Sequence, residues 1–194
     1  MSKLEFRRKR GAMKHYDRIA DLYDSLYKHE QDKKIYSTLK YVGLAASDVV
    51  LDAGCGSGLL FPWLDGKVKV IVGVDISRCL LRIAASRSGG SSGTETHLIL
   101  ADASYLPIRK EIFDKIFAIT LMQDVPEVDV VVEEIFRVAK NSSEIIITWL
   151  KKGGSVKGLK KAIRDRNARL SIIDVGGECK DLIIYASKLR DKNK

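Results

Sequence analysis

Cysteine is scarce in this chain and never paired along it. Cys55, Cys79 and Cys179 stand far apart with no Cys-x-x-Cys spacing, which argues against a zinc site or a disulfide framework, so no metal is expected. Histidine is as rare, and His15, His29 and His97 lie near no nucleophile motif; each reads as a surface or packing residue. No apolar run is long enough to cross a bilayer, and the basic start at 3–10 is not followed by an apolar stretch of signal-peptide length. These absences predict a soluble, cytoplasmic protein without a membrane partner. There is no internal repeat. With 194 residues the chain can bury one proper core but is too short for a catalytic domain plus a large accessory one.

Positive charge is plentiful and clustered. Lys plus Arg outnumber Asp plus Glu by 34 to 25, for a formal net charge of +9, an excess that favours polyanions. Lys3, Arg7, Arg8, Lys9, Arg10 and Lys14 face only Glu5 in the first segment, and a second block from Lys151 to Arg169 contains only Asp165 as an acid. Such blocks are either solvated tails and helix faces or phosphate-holding surfaces. Residues 1–13 read as a basic flexible tail.

The chain is organised around Val49-Val50-Leu51-Asp52-Ala53-Gly54-Cys55-Gly56-Ser57-Gly58. Three consecutive aliphatic residues bounded by turn formers predict a strand buried on both faces. Gly54, Gly56 and Gly58 let the backbone turn sharply and approach a ligand, and the helix that follows aims its free amides at the same spot. A dinucleotide loop would place a third glycine where Leu59 stands. Asp52, just before the turn, would repel a pyrophosphate and attract a ligand carrying an ammonium and a sulfonium. S-adenosylmethionine has that charge pattern.

These ten residues resemble motif I of the class I S-adenosylmethionine-dependent methyltransferases, and two further stretches extend the resemblance. Gly73-Val74-Asp75-Ile76 closes an apolar run as the family's second motif does, which implies Asp75 on the ribose hydroxyls and Ile76 against the adenine; Asp102-Ala103 resembles the third motif, whose acid accepts from the adenine amino group. The phrase from Tyr16 to Asp24 resembles the opening of the ubiquinone-biosynthesis type of methyltransferase, whose first helix lies over the cofactor as a lid. Tyr16 and Tyr23 then belong either to core packing or to the cofactor site, or to both. The resemblance also assigns Cys55, as a packing residue inside the loop, and Thr120, at the end of the fourth strand, to the cofactor set.

The remaining pattern agrees with that family. Apolar residues at helical spacing ahead of the first strand predict a helical lid over 14–43. Strands are expected at 67–75, 97–101, 112–120 and 144–150, a helix at 127–140, a basic amphipathic helix at 157–164, a flexible Gly/Ser loop at 88–93, and a terminal hairpin of 170–175 and 182–186 joined through Gly176-Gly177. The fold expected over 14–190 is α/β: a Rossmann-like, doubly wound, seven-stranded, mostly parallel sheet with a C-terminal antiparallel hairpin and helices on both faces.

The acceptor is less legible. Families that methylate exocyclic amines carry Asn-Pro-Pro-Tyr near the end of the fourth strand, whereas this chain has Thr120-Leu121-Met122-Gln123-Asp124. Gln123 and Asp124 either orient or deprotonate a substrate or form a solvated loop, and no catalytic residue is assigned. The expected acceptor is an RNA base, held by the basic tail and the helix at 157–164. The alternatives are a small molecule such as a quinone precursor, a protein side chain, or a role as a cofactor-binding subunit with an activator protein on the edge strand that begins at His97 and ends at Ala101.

Overall fold

The computed structural model describes residues 3–88, 92–153, 155–176 and 179–190. Gly89, Gly90 and Ser91 of the Gly/Ser loop at 88–93 and the second glycine of the hairpin turn, Gly177, lie outside them. Twelve elements follow in chain order: α1 (Lys3–Leu39), β1 (Val49–Ala53), α2 (Phe61–Leu64), β2 (Val70–Asp75), α3 (Arg78–Ser86), β3 (Glu95–Leu100), β4 (Phe113–Ala118), α4 (Val128–Val138), β5 (Ala139–Leu150), α5 (Lys157–Arg164), β6 (Ala168–Ile173) and β7 (Asp181–Lys188).

The strands form one sheet in the order β3-β2-β1-β4-β5-β7-β6. β1, β2, β3, β4 and β5 run parallel, and β7 inserts antiparallel between β5 and β6. This is the expected seven-stranded Rossmann-like sheet with its C-terminal hairpin. The central strands are apolar on both faces: Val50, Leu51, Phe117 and Ala118 are fully buried, each large member contributing about 1.5–3 kcal/mol by leaving water. On one face α4 and α5 pack through Val131, Val132, Ile135, Leu159 and Ile163. On the other, Ile35 of α1, Phe61 and Leu64 of α2 and Leu81 and Ala84 of α3 close the second layer. Ser77 caps α3 as its position predicts, accepting from the Leu80 amide at 3.1 Å. Pro62 falls in the first turn of α2, where its missing N–H is harmless.

Two elements depart from expectation. The flexible tail expected at 1–13 is helical from Lys3 onward, and α1 is one continuous helix of 37 residues. Its first turns are tied down by Lys9, which is buried against residues of the sheet's far end. β5 begins at Ala139, inside the helix expected at 127–140. The pairing of β4 with β5 shifts between Phe113 and Lys115, Ser142 takes a positive φ of 65°, and Lys140 reaches Asp114 at 2.8 Å. That bulge and ion pair draw the chain into the sheet before the apolar pattern of the strand begins.

Candidate active site

The strand order reverses between β1 and β4, and there the carboxyl ends of β1, β2, β3 and β4 open a crevice. The glycine loop fills its near side. Gly54 and Cys55 donate backbone N–H groups to the Val74 carbonyl at 2.8 and 3.0 Å, and Gly54, Gly56 and Gly58 all have φ between 53° and 76°. Only glycine takes this geometry without strain. Asp75, at the end of β2, accepts from the Gly56 amide through Oδ2 at 2.9 Å and from the Ser77 amide through Oδ1 at 2.8 Å. Two loops thereby hold this carboxylate in one orientation.

α1 roofs the crevice, leaving a cleft of about 720 Å³ beneath it. Tyr16, Tyr23, Gly54, Gly56, Asp75, Ile76, Asp102, Ala103 and Thr120, all expected in the site, line this one cleft. Asp52 and Cys55 do not; they line a smaller cleft of about 320 Å³ behind Gly54, with Gln31, Ile35 and Ser57. Gly58 lines neither, because its Cα faces the Phe61 ring, where a Cβ would stand 2.7 Å away.

Burial dominates the electrostatics. Asp52 is 3 % exposed, and desolvation, reinforced by the nearby charge of Asp75, pushes its carboxyl up to about 8. Burial also raises Asp75, although the amides of Ser77 and Gly56 oppose the shift. Tyr16 donates its hydroxyl to Asp124 Oδ2 at 2.7 Å, and burial together with that carboxylate's charge lifts the phenol well above its usual range. Tyr23 is raised likewise, by burial first. The rings of Tyr16 and Tyr23 lie 6.1 Å apart, and Tyr27 continues the stack at 5.1 Å.

Several lining residues carried no readable signal. Lys9 looked like one of six cations in a tail; instead its Nζ meets Asp102 Oδ2 at 2.9 Å, Ser104 Oγ at 2.9 Å and Glu127 Oε2 at 3.4 Å, with the Tyr105 ring at 5.1 Å. Desolvation works against its charge, but bonding to Asp102 and Glu127 prevails and raises its pKa. Glu127 precedes α4 yet makes no side-chain cap there. Asp124 lines the cleft and accepts from the Tyr16 hydroxyl; Gln123 is not among the lining residues. Among the described residues, no group of three His, Cys, Asp or Glu side chains is arranged to hold a metal ion.

Comparison with known proteins agrees with this architecture. Residues 51–147 match the family model described as "Methyltransferase domain". A malonyl-[acyl-carrier protein] O-methyltransferase of Marinomonas is 31% identical over 147 residues, covering 75% of this chain and 53% of its own. A demethylmenaquinone methyltransferase of Thermobifida fusca is 28% identical, covering 68% of this chain and 58% of its own. The chain thus spans a little over half the length of these two relatives. Among solved structures, a SAM dependent methyltransferase from Aquifex aeolicus superposes with a TM-score of 0.67 at 22% identity, over 80% of this chain and 89% of that one. The methyltransferase in a complex with the Haloferax volcanii Trm112 activator superposes at 0.72 with 14% identity, over 90% and 98%. The strand order, the glycine loop and its acids, and the match across β1 to β5 place this chain in the methyltransferase domain family, in its class I, S-adenosylmethionine-dependent form.

Proposed function

We propose that this protein transfers a methyl group from S-adenosylmethionine to a small organic acceptor bound between α1 and the loop that follows β4. The observation that carries this reading is the roof. From Lys9 to Tyr23, α1 crosses the cleft, and the Tyr16–Asp124 bond joins it to the far wall. An opening bounded in this way suits a small molecule better than a folded RNA. The two basic blocks expected to hold RNA are also partly engaged within the protein, Lys9 with Asp102 and Lys161 with Asp165. The relatives above methylate, by their names, malonyl-[acyl-carrier protein] and demethylmenaquinone.

The residues fit the cofactor. Asp75, held by two amides, keeps lone pairs for two ribose hydroxyls, and Asp102 keeps capacity for an amino group beside its contact with Lys9. Ile76, Ala103 and Leu80 offer an apolar slot for a flat base. When bound, the cofactor supplies an electrophilic methyl on a positively charged sulfur, so alignment and exclusion of water carry much of the acceleration. Asp124 is the group placed to orient the acceptor and take its proton, while Tyr16 stays protonated and fixes the carboxylate.

Calorimetric titration with S-adenosylmethionine tests this. Wild-type binding is expected, with Asp75→Ala weaker by about 1.5–3 kcal/mol; equal affinity would refute the site. The RNA reading makes a different prediction, a steep loss of RNA affinity between low and moderate salt.

A second reading is favoured by one feature of the sheet. β3 is a margin strand and Leu100 on it is 49% exposed, so an activator protein has an edge to extend. Purification of the native protein with a stoichiometric companion would support it, and a lone monomer would count against it.

A further inference from the structure

Thr120, two residues past β4, takes a conformation that its side chain disfavours. Its φ is +61°, in the left-handed region where a β-branched residue is strained. The surroundings impose this geometry. Its amide donates to Thr148 Oγ1 at 2.8 Å, its hydroxyl donates to Gln31 Oε1 at 3.1 Å, and Lys34 Nζ donates to that same hydroxyl at 3.1 Å.

Lys34 is only 2% exposed. It pairs with Glu30 Oε1 at 3.1 Å and with Asp181 Oδ2 at 3.2 Å, the latter the fully buried first residue of β7. Neither Asp181 oxygen has a hydrogen-bond donor among the described residues beyond that ion pair. Buried ion pairs are weak sources of stability, and apolar replacements of similar volume are often as stable. Stability alone therefore gives no reason for this one.

Its position supplies a reason. The left-handed turn redirects the chain so that the Leu121 side chain lies on the glycine loop, where a Cβ built on Gly54 would come within 2.9 Å of it. Ile119, on the other side of the turn, borders both clefts. The segment 119–121 is thus the wall between the two.

We propose that Lys34 is a positioning residue for the cofactor site: through the Thr120 hydroxyl it holds the strained turn that presses Leu121 onto the glycine loop. This rests on the cleft being that site. The decisive variant is Lys34→Met with Asp181→Leu, which removes both charges together, compared with wild type by thermal melting and by titration with S-adenosylmethionine and S-adenosylhomocysteine. A merely structural pair would leave binding unchanged. The expected result is a cooperative melt within several degrees of wild type, with affinity for both ligands reduced about tenfold or more.

Thr120→Val and Thr120→Ser supply a second measurement if the double variant fails to fold. Val keeps the shape and loses the hydroxyl, so it should reproduce the loss; Ser keeps the hydroxyl and should stay within about threefold of wild type. A folded double variant, or a folded Thr120→Val, that binds within about twofold of wild type overturns the proposal. Failure of the wild type itself to bind either ligand overturns the cofactor reading, and this proposal with it.

Discussion

Asp52 and Asp75 carry an electrostatic cost that pH can expose. Both carboxyls are raised, Asp52 to about 8 against about 4 in an unfolded chain. Between those values the folded state holds protons that the unfolded state has released, so stability is greatest in mild acid and falls as pH rises toward 8. The acids with lowered pKa, Asp17 and Glu30 among them, act in the opposite direction but only below about pH 5. Melts of ligand-free protein between pH 5 and about 8.5 should show the falling limb, and Asp52→Asn should flatten it; an unchanged slope would mean that Asp52 is ionised in the fold. The loop offers a second test. Gly58→Ala combines φ of +76° with a Cβ 2.7 Å from the Phe61 ring, which should cost about 1–3 kcal/mol and lower the melting temperature.

Among the elements, α1 is the unusual one. Apolar contact fixes it only through a few residues such as Ala20 and Ile35, while polar side chains reach most of its neighbours. Asp17 accepts from Ser77 Oγ at 2.6 Å, Asp24 accepts from Ser57 Oγ at 2.7 Å and pairs with Arg87, and Lys9, Tyr16 and Lys34 make the contacts described above. Partly exposed pairs of this kind are individually weak and screened by salt. The roof should therefore open at lower free energy than the sheet. Hydrogen exchange is expected to be faster in α1 up to Tyr23 than in β1 and β4, faster again in high salt, and slower with S-adenosylmethionine present; protection equal to that of β4 would contradict this. The same chemistry explains what the sequence revealed. Strands β1, β2 and β4 announce themselves as aliphatic runs, and Asp75 and Asp102 are legible because they end such runs. The helical character of residues 3–13 is hidden because its anchor, Lys9, bonds to acids roughly ninety or more positions away, which no local period encodes. Asp52 is expected beside the cofactor from the sequence but lines the neighbouring cleft, because the turn at Gly54 decides which side of the loop it faces.

For the molecule as a whole, internal ion pairs take up part of the positive charge. Lys157, Lys160 and Lys161 lie on α5, and Lys161 is engaged with Asp165 at 2.7 Å. Reversing Lys157 and Lys160 to Glu should leave S-adenosylmethionine affinity unchanged within about twofold, since neither lines the cleft. Saturating ligand, at about a hundred times its Kd, should stabilise the fold by about 2.7 kcal/mol and raise the melting temperature by roughly 5–10 °C.

The roof also imposes an order on synthesis. α1 is made before every strand that it touches, yet Glu30 bonds to Lys180, 150 residues later, and Lys34 waits for Asp181. The sheet from β1 to β5 emerges while Gln31, Lys34 and Ile35 have Thr120 and the second core layer to meet but Glu30 and Lys34 still lack Lys180 and Asp181. The residues around the start of β7 therefore add the last ties to the C-terminal half of the lid, after Lys9, Tyr16, Asp17 and Asp24 have found theirs. A nascent chain halted before β7 would carry the whole glycine loop and its roof, but would leave Lys34 buried without its Asp181 partner.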